Sequence, residues 1–266
     1  MPRLPTLFVS HGSPMHAVDA GGAGQAWRAI VEALPKPRAV LIASAHWETA
    51  LPMLTGAAQL ETIHDFGGFP EELYRIRYDA PGSPELAQEA SALLQGAGIR
   101  ASINACRGID HGAWVPLRWM YPRRDVPVVQ LSVQPQLGAA HHLEMGRALA
   151  PLAARDVLVI GSGHVTHNLR DWFASRGSND TLPYVTQFAG WLEQRLVSND
   201  DDAIVGYREQ APSATRAHPT EEHFLPLLVA LGASDATDRR RRIEGGMTHA
   251  VLSMDAFAFG LAEEAA

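Results

Sequence analysis

Three stretches of this chain share one pattern, and together they limit the folds open to it. Ala39–Glu48 (AVLIASAHWE) runs through five apolar residues and two small ones into a histidine and a tryptophan. Residues 4–14 (LPTLFVSHGSP) form an apolar run that ends in Ser10-His11-Gly12. Residues 156–168 (DVLVIGSGHVTHN) form another, ending in small residues and then His164 and His167. Apolar runs of this length without alternation read as strands buried on both faces, the position of strands in a parallel sheet covered by helices. A polar residue closing such a strand marks where the sheet meets a cleft, and open α/β sheets bind ligands just outside the carboxyl ends of their strands. One strand ending in histidine says little, because histidine is common at half-buried positions. Three would converge at one edge of a single sheet.

The rest of the chain alternates helical and extended signals. Residues 23–34 (AGQAWRAIVEAL) have helical spacing and stop at Pro35-Lys36-Pro37. Ser83-Pro84-Glu85 combines a capping hydroxyl, a proline at the first position and an acid in the first turn, so a helix is predicted from there to about 95, before Gly96. Further helices are predicted over 115–121, 136–153, 182–197, 201–210 and 220–231, the last with Glu221 and Glu222 in its first turn. Strands are predicted over 52–56, 73–79 (at an edge), 100–104, 126–133, 243–248 and 250–259. Residues 61–70 (ETIHDFGGFP) and 107–114 (RGIDHGAW) read as loops, each with a histidine. No linker tract or fixed-period repeat interrupts the alternation. The expectation is one α/β domain over residues 1–266, with a central, mostly parallel or mixed sheet flanked by helices and a site at the strand C-terminal ends.

Composition narrows the function. With 46% apolar and 19% charged residues in 266, the chain can bury a large core. A net charge of −7 argues against nucleic acid or an anionic membrane surface as partner and suits an enzyme of small substrates. The single cysteine, Cys106, cannot form an internal disulfide and reads as a small buried hydrophobe. No basic and apolar leader opens the chain and no apolar stretch approaches the ~20 residues of a membrane span, so the expected location is cytoplasmic.

Histidine is the unusual residue, at twelve. Five fall at loops or element ends: His11, His46, His111, His167 and His223. Neutral imidazole suits iron, zinc, copper and nickel. No HExxH-type pair occurs, so a metal site would have to be assembled from distant segments. Trp47, Phe66, Phe69 and Trp114 sit beside these histidines and could wall an aromatic substrate.

The ordered set SHGSPM, SAHWE, TIHDFGGFP, IDHGAW, GSGHVTHN and PTEEHFLPLL resembles the class III extradiol ring-cleaving dioxygenases. It is most similar to their DOPA-extradiol-dioxygenase-like branch, which includes bacterial proteins and the plant enzymes of betalain synthesis. The resemblance covers the chain from Leu7 to about Leu231, and the motifs are specific as a set rather than singly. It implies a non-haem Fe(II) centre that binds a catechol and O₂, and a semialdehyde product. By motif, it places metal ligands at His11, His46 and His223. It also implies a further metal-centre histidine at His167, as ligand or acid/base, and an acid/base at His111. His64 would stand at the substrate pocket with Trp47 and Trp114. A homodimer is an expectation at family level.

One departure leaves alternatives open. The protocatechuate-type relatives use two histidines and a carboxylate, whereas this chain has Glu221-Glu222-His223 at the corresponding place. On a helix, neighbours point about 100° apart, so His223 or Glu222 would face the metal, and His223 is preferred. A histidine-only set is also comfortable for Zn(II). A zinc hydrolase on the same scaffold, and a binding protein that retains metal without turnover, are therefore the alternative readings.

Other features read more plainly. Gly161-Ser162-Gly163 lacks the spacing of a phosphate loop, and Ser10, Ser13 and Ser162 lack a nucleophile elbow. Residues 239–242, four arginines, read as an exposed turn before a strand. His16, His141, His142, His218 and His249 read as structural or surface residues, and His164 as a loop neighbour of His167 outside the site.

Overall fold

The computed structural model describes residues 3–175, 178 and 180–261. Its strands, in chain order, are β1 (Thr6–Ser10), β2 (Ala39–Glu48), β3 (Met53–Thr55), β4 (Ser102–Asn104), β5 (Val128–Val133), β6 (Val157–Gly163), β7 (Arg240–Ile243), β8 (Met247–Thr248), β9 (Leu252–Ser253) and β10 (Ala256–Phe259). Eight form one mixed sheet in the order β4-β3-β5-β2-β6-β1-β10-β7, and β8 and β9 pair separately. The centre of the large sheet, β5-β2-β6-β1, is parallel. Beyond it, β3 runs antiparallel to β5, and β10 antiparallel to β1. The three apolar runs are thus the adjacent strands β2, β6 and β1, and their carboxyl ends share one edge.

Both sheet faces are covered, which is why these strands do not alternate. On one face Val40, Ile42, Leu158, Ile160, Leu7 and Val9 pack with Trp27 and Trp114 from the helices Gly21–Glu32 and His111–Met120. On the other, Leu41, Val129, Leu131 and Val159 pack with Leu86, Leu94, Met145 and Val229. Phe8, Phe257 and Phe259 extend this second face towards Phe188, Leu192 and Leu227. The helix Leu225–Ala233 is buried along its whole length, as an all-apolar helix must be. It lies so close to the helix Gly138–Leu149 that a Cβ on Gly232 would stand 2.1 Å from the Leu143 carbonyl, and one on Gly146 2.3 Å from that of Val229.

The differences from the sequence expectations have local causes. The helix predicted over 220–231 begins only at Leu225. Pro226 would drive its ring into the Glu222 carbonyl if the helix started a turn earlier. Glu221, Glu222 and His223 therefore lie in the preceding turn, and the 100° argument between Glu222 and His223 does not apply. The 107–114 loop ends sooner than expected, because the next helix starts at His111 with Asp110 before it. Residues 73–79 make no strand: Glu71–Tyr74 is a short helix with two acids in its first turn, and the backbone N–H of Tyr78 donates to Thr62 Oγ1 instead of a ladder.

Three of the four arginines, Arg240 to Arg242, lie in β7 rather than in a turn, with Arg240 on Asp201 and Arg242 on Glu193 and Asp255. Cys106 is exposed rather than buried. Of the histidines read as structural or surface residues, His142 and His218 are fully buried. Among the described residues, no helix is long and apolar enough to cross a membrane.

Candidate metal centre

Each histidine reaches the common edge by a different route. His11 follows β1, its backbone N–H held by the Gly163 carbonyl at 3.1 Å. His46 lies near the end of β2, past Ser44, where β2 stops pairing with β6, and inside a register shift against β5. Irregular pairing of this kind re-aims side chains near sites. His223 enters from the turn before the buried helix, and its carbonyl accepts from the His164 N–H at 2.8 Å. Close passage of that turn over β6 requires glycine there: a Cβ on Gly163 would stand 2.1 Å from the His223 carbonyl oxygen, and one on Gly161 2.0 Å from that of Pro226.

These three side chains converge. His46 Nε2 lies 3.0 Å from His11 Nε2 and 3.2 Å from His223 Nε2. Their outer nitrogens face acceptors, with His223 Nδ1 3.0 Å from Glu222 Oε1 and His46 Nδ1 3.5 Å from Asp65 Oδ2. Nδ1–H donation from His223 to Glu222, and the Asp65 carboxylate facing His46 Nδ1, favour Nε2 lone pairs that point inward. Burial, and then mutual repulsion with neighbouring histidines, hold His11, His46 and His223 well below the usual histidine pKa, so all three rings are neutral at pH 7. Inward lone pairs this close suit a divalent cation, and the donor set fits one.

His111 stands beside this triad, its ring 3.9 Å from that of His46 between centroids. Asp65 binds it twice, accepting from the backbone N–H at 2.9 Å and lying 2.8 Å from Nδ1. Burial alone would raise the Asp65 pKa. The side-chain and backbone hydrogen bonds from His111, with favourable electrostatics from the His111 and His46 imidazoles beside it, outweigh that and hold it at about 2, so the carboxylate is ionised. His167 stacks flat on His223, with centroids 3.5 Å apart and planes 10° apart, and burial lowers its pKa to about 4. It can also join Glu222 and His223 in a three-residue donor group next to the first. His164 is buried too, its Nε2 accepting from the Gly12 N–H at 3.0 Å.

A cavity of about 820 Å³ opens onto these rings. It is lined by His11, His46, His111, His164, His167 and His223, together with the apolar side chains Phe66, Phe69, Leu169, Trp172 and Phe173. Three residues predicted for the pocket lie behind its wall. Trp114 is fully buried and donates from Nε1 to the Ile63 carbonyl. The Trp47 ring lies under the Arg107 guanidinium at 4.6 Å. His64 Nε2 is 3.0 Å from the Ile76 carbonyl, and its ring packs against Phe66. Sequence reasoning missed Asp65, Trp172, Phe173, His249 and His164 as lining residues. His164 and Asp65 sat next to singled-out histidines, which was the only available signal.

An α/β sheet that gathers neutral imidazoles from separate strand ends at one cavity defines a metal-dependent enzyme built on strand-end chemistry. The sequence pattern of the family described as the catalytic LigB subunit of aromatic ring-opening dioxygenase matches residues 5–253. The chain belongs to this family, and it is an extradiol ring-cleaving dioxygenase. Among its relatives is the 4,5-DOPA dioxygenase extradiol of Beta vulgaris, 41% identical over 263 residues and 96% of each chain. The protein of the same name from Escherichia coli strain K12 is 40% identical over 241 residues, 89% of this chain and 87% of that one. The crystal structure of uncharacterized protein JW3007 from Escherichia coli K12 superposes with a TM-score of 0.81 at 35% identity, covering 97% of this chain and all of that one. Family membership sets aside the hydrolase and binding-protein readings.

Proposed function

We propose that the substrate is a catechol and the working metal non-haem Fe(II), held by His11, His46 and His223. The observation that carries this reading is the convergence of three Nε2 atoms at one end of an aromatic-walled cavity, with the His111–Asp65 pair beside them. Bound there, Fe(II) would supply Lewis acidity for the catechol oxygens and the redox chemistry that engages O₂. The reaction adds both atoms of O₂ and breaks the ring C–C bond next to the diol, giving a semialdehyde. Three neutral imidazoles leave the cation its full charge, which favours the deprotonated catechol.

The remaining residues handle protons and position. Asp65 accepts from His111 Nδ1–H, so the other ring nitrogen is left to take a catechol proton and return it as the ring opens. His167, neutral and stacked on His223, serves as a second acid/base group rather than a fourth ligand. Phe66, Phe69 and Trp172 hold the ring and exclude water. Zn(II) competes for a histidine-only site and is the metal expected on isolation without added iron. A cytoplasmic setting suits both Fe(II) and the exposed Cys106 thiol.

The charge of the cavity narrows the catechol. Among the described residues that line it, the fixed charges are Glu48, Asp65 and Glu222, with no lysine or arginine. A catechol with an ammonium-bearing side chain is favoured over one with a carboxylate on the ring. The test is anaerobic loading with Fe(II), followed by O₂ and a panel of DOPA, dopamine, caffeate and protocatechuate. The expected result is a yellow ring-fission product, one O₂ consumed per ring, and kcat/KM at least ~10-fold higher for the amine-bearing pair, as for a charge mismatch of about 1.4 kcal/mol. No O₂ uptake with any of the four would refute the catechol reading. Preference for protocatechuate would refute the charge argument alone.

A further inference from the structure

The geometry points to Ser162 as the positioning residue that fixes which nitrogen of His11 carries the proton, and that ties this ligand to the helix bearing His111. The inference rests on the reading of His11 as a metal ligand. It starts from a proline. The helix His111–Met120 contains Pro116, which has no N–H to give to the carbonyl four residues back. That carbonyl belongs to Gly112, at the buried helix start beside His111, and its normal helical partner is missing. Ser162 Oγ fills the gap by donating its hydrogen to the Gly112 carbonyl.

A hydroxyl has one proton, and here it is used. Ser162 Oγ also lies 3.0 Å from His11 Nδ1, and towards that nitrogen it can only accept. His11 must therefore carry its proton on Nδ1, with the Nε2 lone pair facing His46 and His223. Glu222 does the same for His223 with a carboxylate. Ser162 differs in being neutral and fully buried, so its direction depends on the carbonyl that Pro116 leaves free. Its place is equally constrained: Gly161 and Gly163 on either side leave no room for side chains against the turn carrying His223, and a Cβ on Gly112 would stand 2.4 Å from Ser44 Oγ. One hydroxyl thus couples β6, the ligand after β1 and the start of the His111 helix.

The test uses the full chain and zinc as probe. In the zinc-loaded wild type with ¹⁵N-histidine, the His11 signals, assigned by their loss in His11→Gln, should show a protonated Nδ1 and a metal-bound Nε2. In Ser162→Ala, zinc affinity measured by chelator competition should fall roughly 10- to 100-fold, the usual cost of losing an outer partner of a metal ligand. Ser162→Thr, which keeps the hydroxyl, should retain most of the affinity. Wild-type zinc affinity in Ser162→Ala, or a deprotonated Nδ1 on His11 in the wild type, would overturn the proposal; the second result does not depend on the folding of Ser162→Ala. If His11→Gln bound zinc like the wild type, the ligand reading itself would fall and take this inference with it.

Discussion

At the scale of the residue, position at the cluster separates two kinds of histidine. His46 offers Nε2 to the converging set, while His111 stands beside it with Nδ1 on Asp65. His111→Ala is therefore expected to keep stoichiometric metal and lose about 10²- to 10⁴-fold in kcat, the range for a general acid/base. His46→Ala should lose the metal. Metal analysis and turnover on the same samples check both, and metal loss in His111→Ala would make His111 a ligand. The histidines were legible because they close apolar runs or sit in motifs that repeat a known order. Their acceptors were not: nothing in the spacing of Asp65 and His111, 46 residues apart, shows that one binds the other twice. Trp47 and Trp114 were misplaced for a related reason. The side chain after His46 on β2 points to the other side of the strand, and Trp114, one helical turn from His111, is buried with its Nε1 on the Ile63 carbonyl.

At the scale of the element, the three apolar runs were readable as strands because burial on both faces leaves a continuous signal. The turns that aim the site were harder to read. Pro226 decides that the last buried helix starts at Leu225, and so leaves His223 in a turn. The close helix pair at Gly146 and Gly232 shows how little slack that helix has. Gly232→Ala would set a methyl 2.1 Å from the Leu143 carbonyl, which is backbone and cannot turn aside. A loss of roughly 1–3 kcal/mol is expected, as for overpacking in a tight core, measured as a lower urea midpoint at unchanged slope. Stability equal to wild type would mean the two helices separate more easily than their packing indicates.

Across the whole molecule, buried neutral histidines make the fold sensitive to acid. Burial lowers the His142 pKa to about 4 and that of His218 to about 3, each from an ordinary value of 6.5. The unfolded chain thus takes up protons first as pH falls. The stability these groups contribute is complete above pH 6.5 and declines from there towards pH 4 and pH 3. Each proton is worth up to about 1.4 kcal/mol per pH unit. His218 sits among Phe188, Tyr207 and Phe224 and donates to the Val165 carbonyl. His218→Gln keeps a donor but cannot titrate, so urea unfolding between pH 7 and 4.5 should show a flatter decline; an unchanged slope would remove His218 from the account.

The sheet brings the reactive histidines to its edge, and the metal position tests that arrangement most directly. Crystals of protein loaded anaerobically with Fe(II), measured at the iron absorption edge, should show one anomalous peak about 2.1 Å from Nε2 of His11, His46 and His223. A peak between His167 and Glu222, one between Asp65 and His111, or no peak near these rings would contradict it.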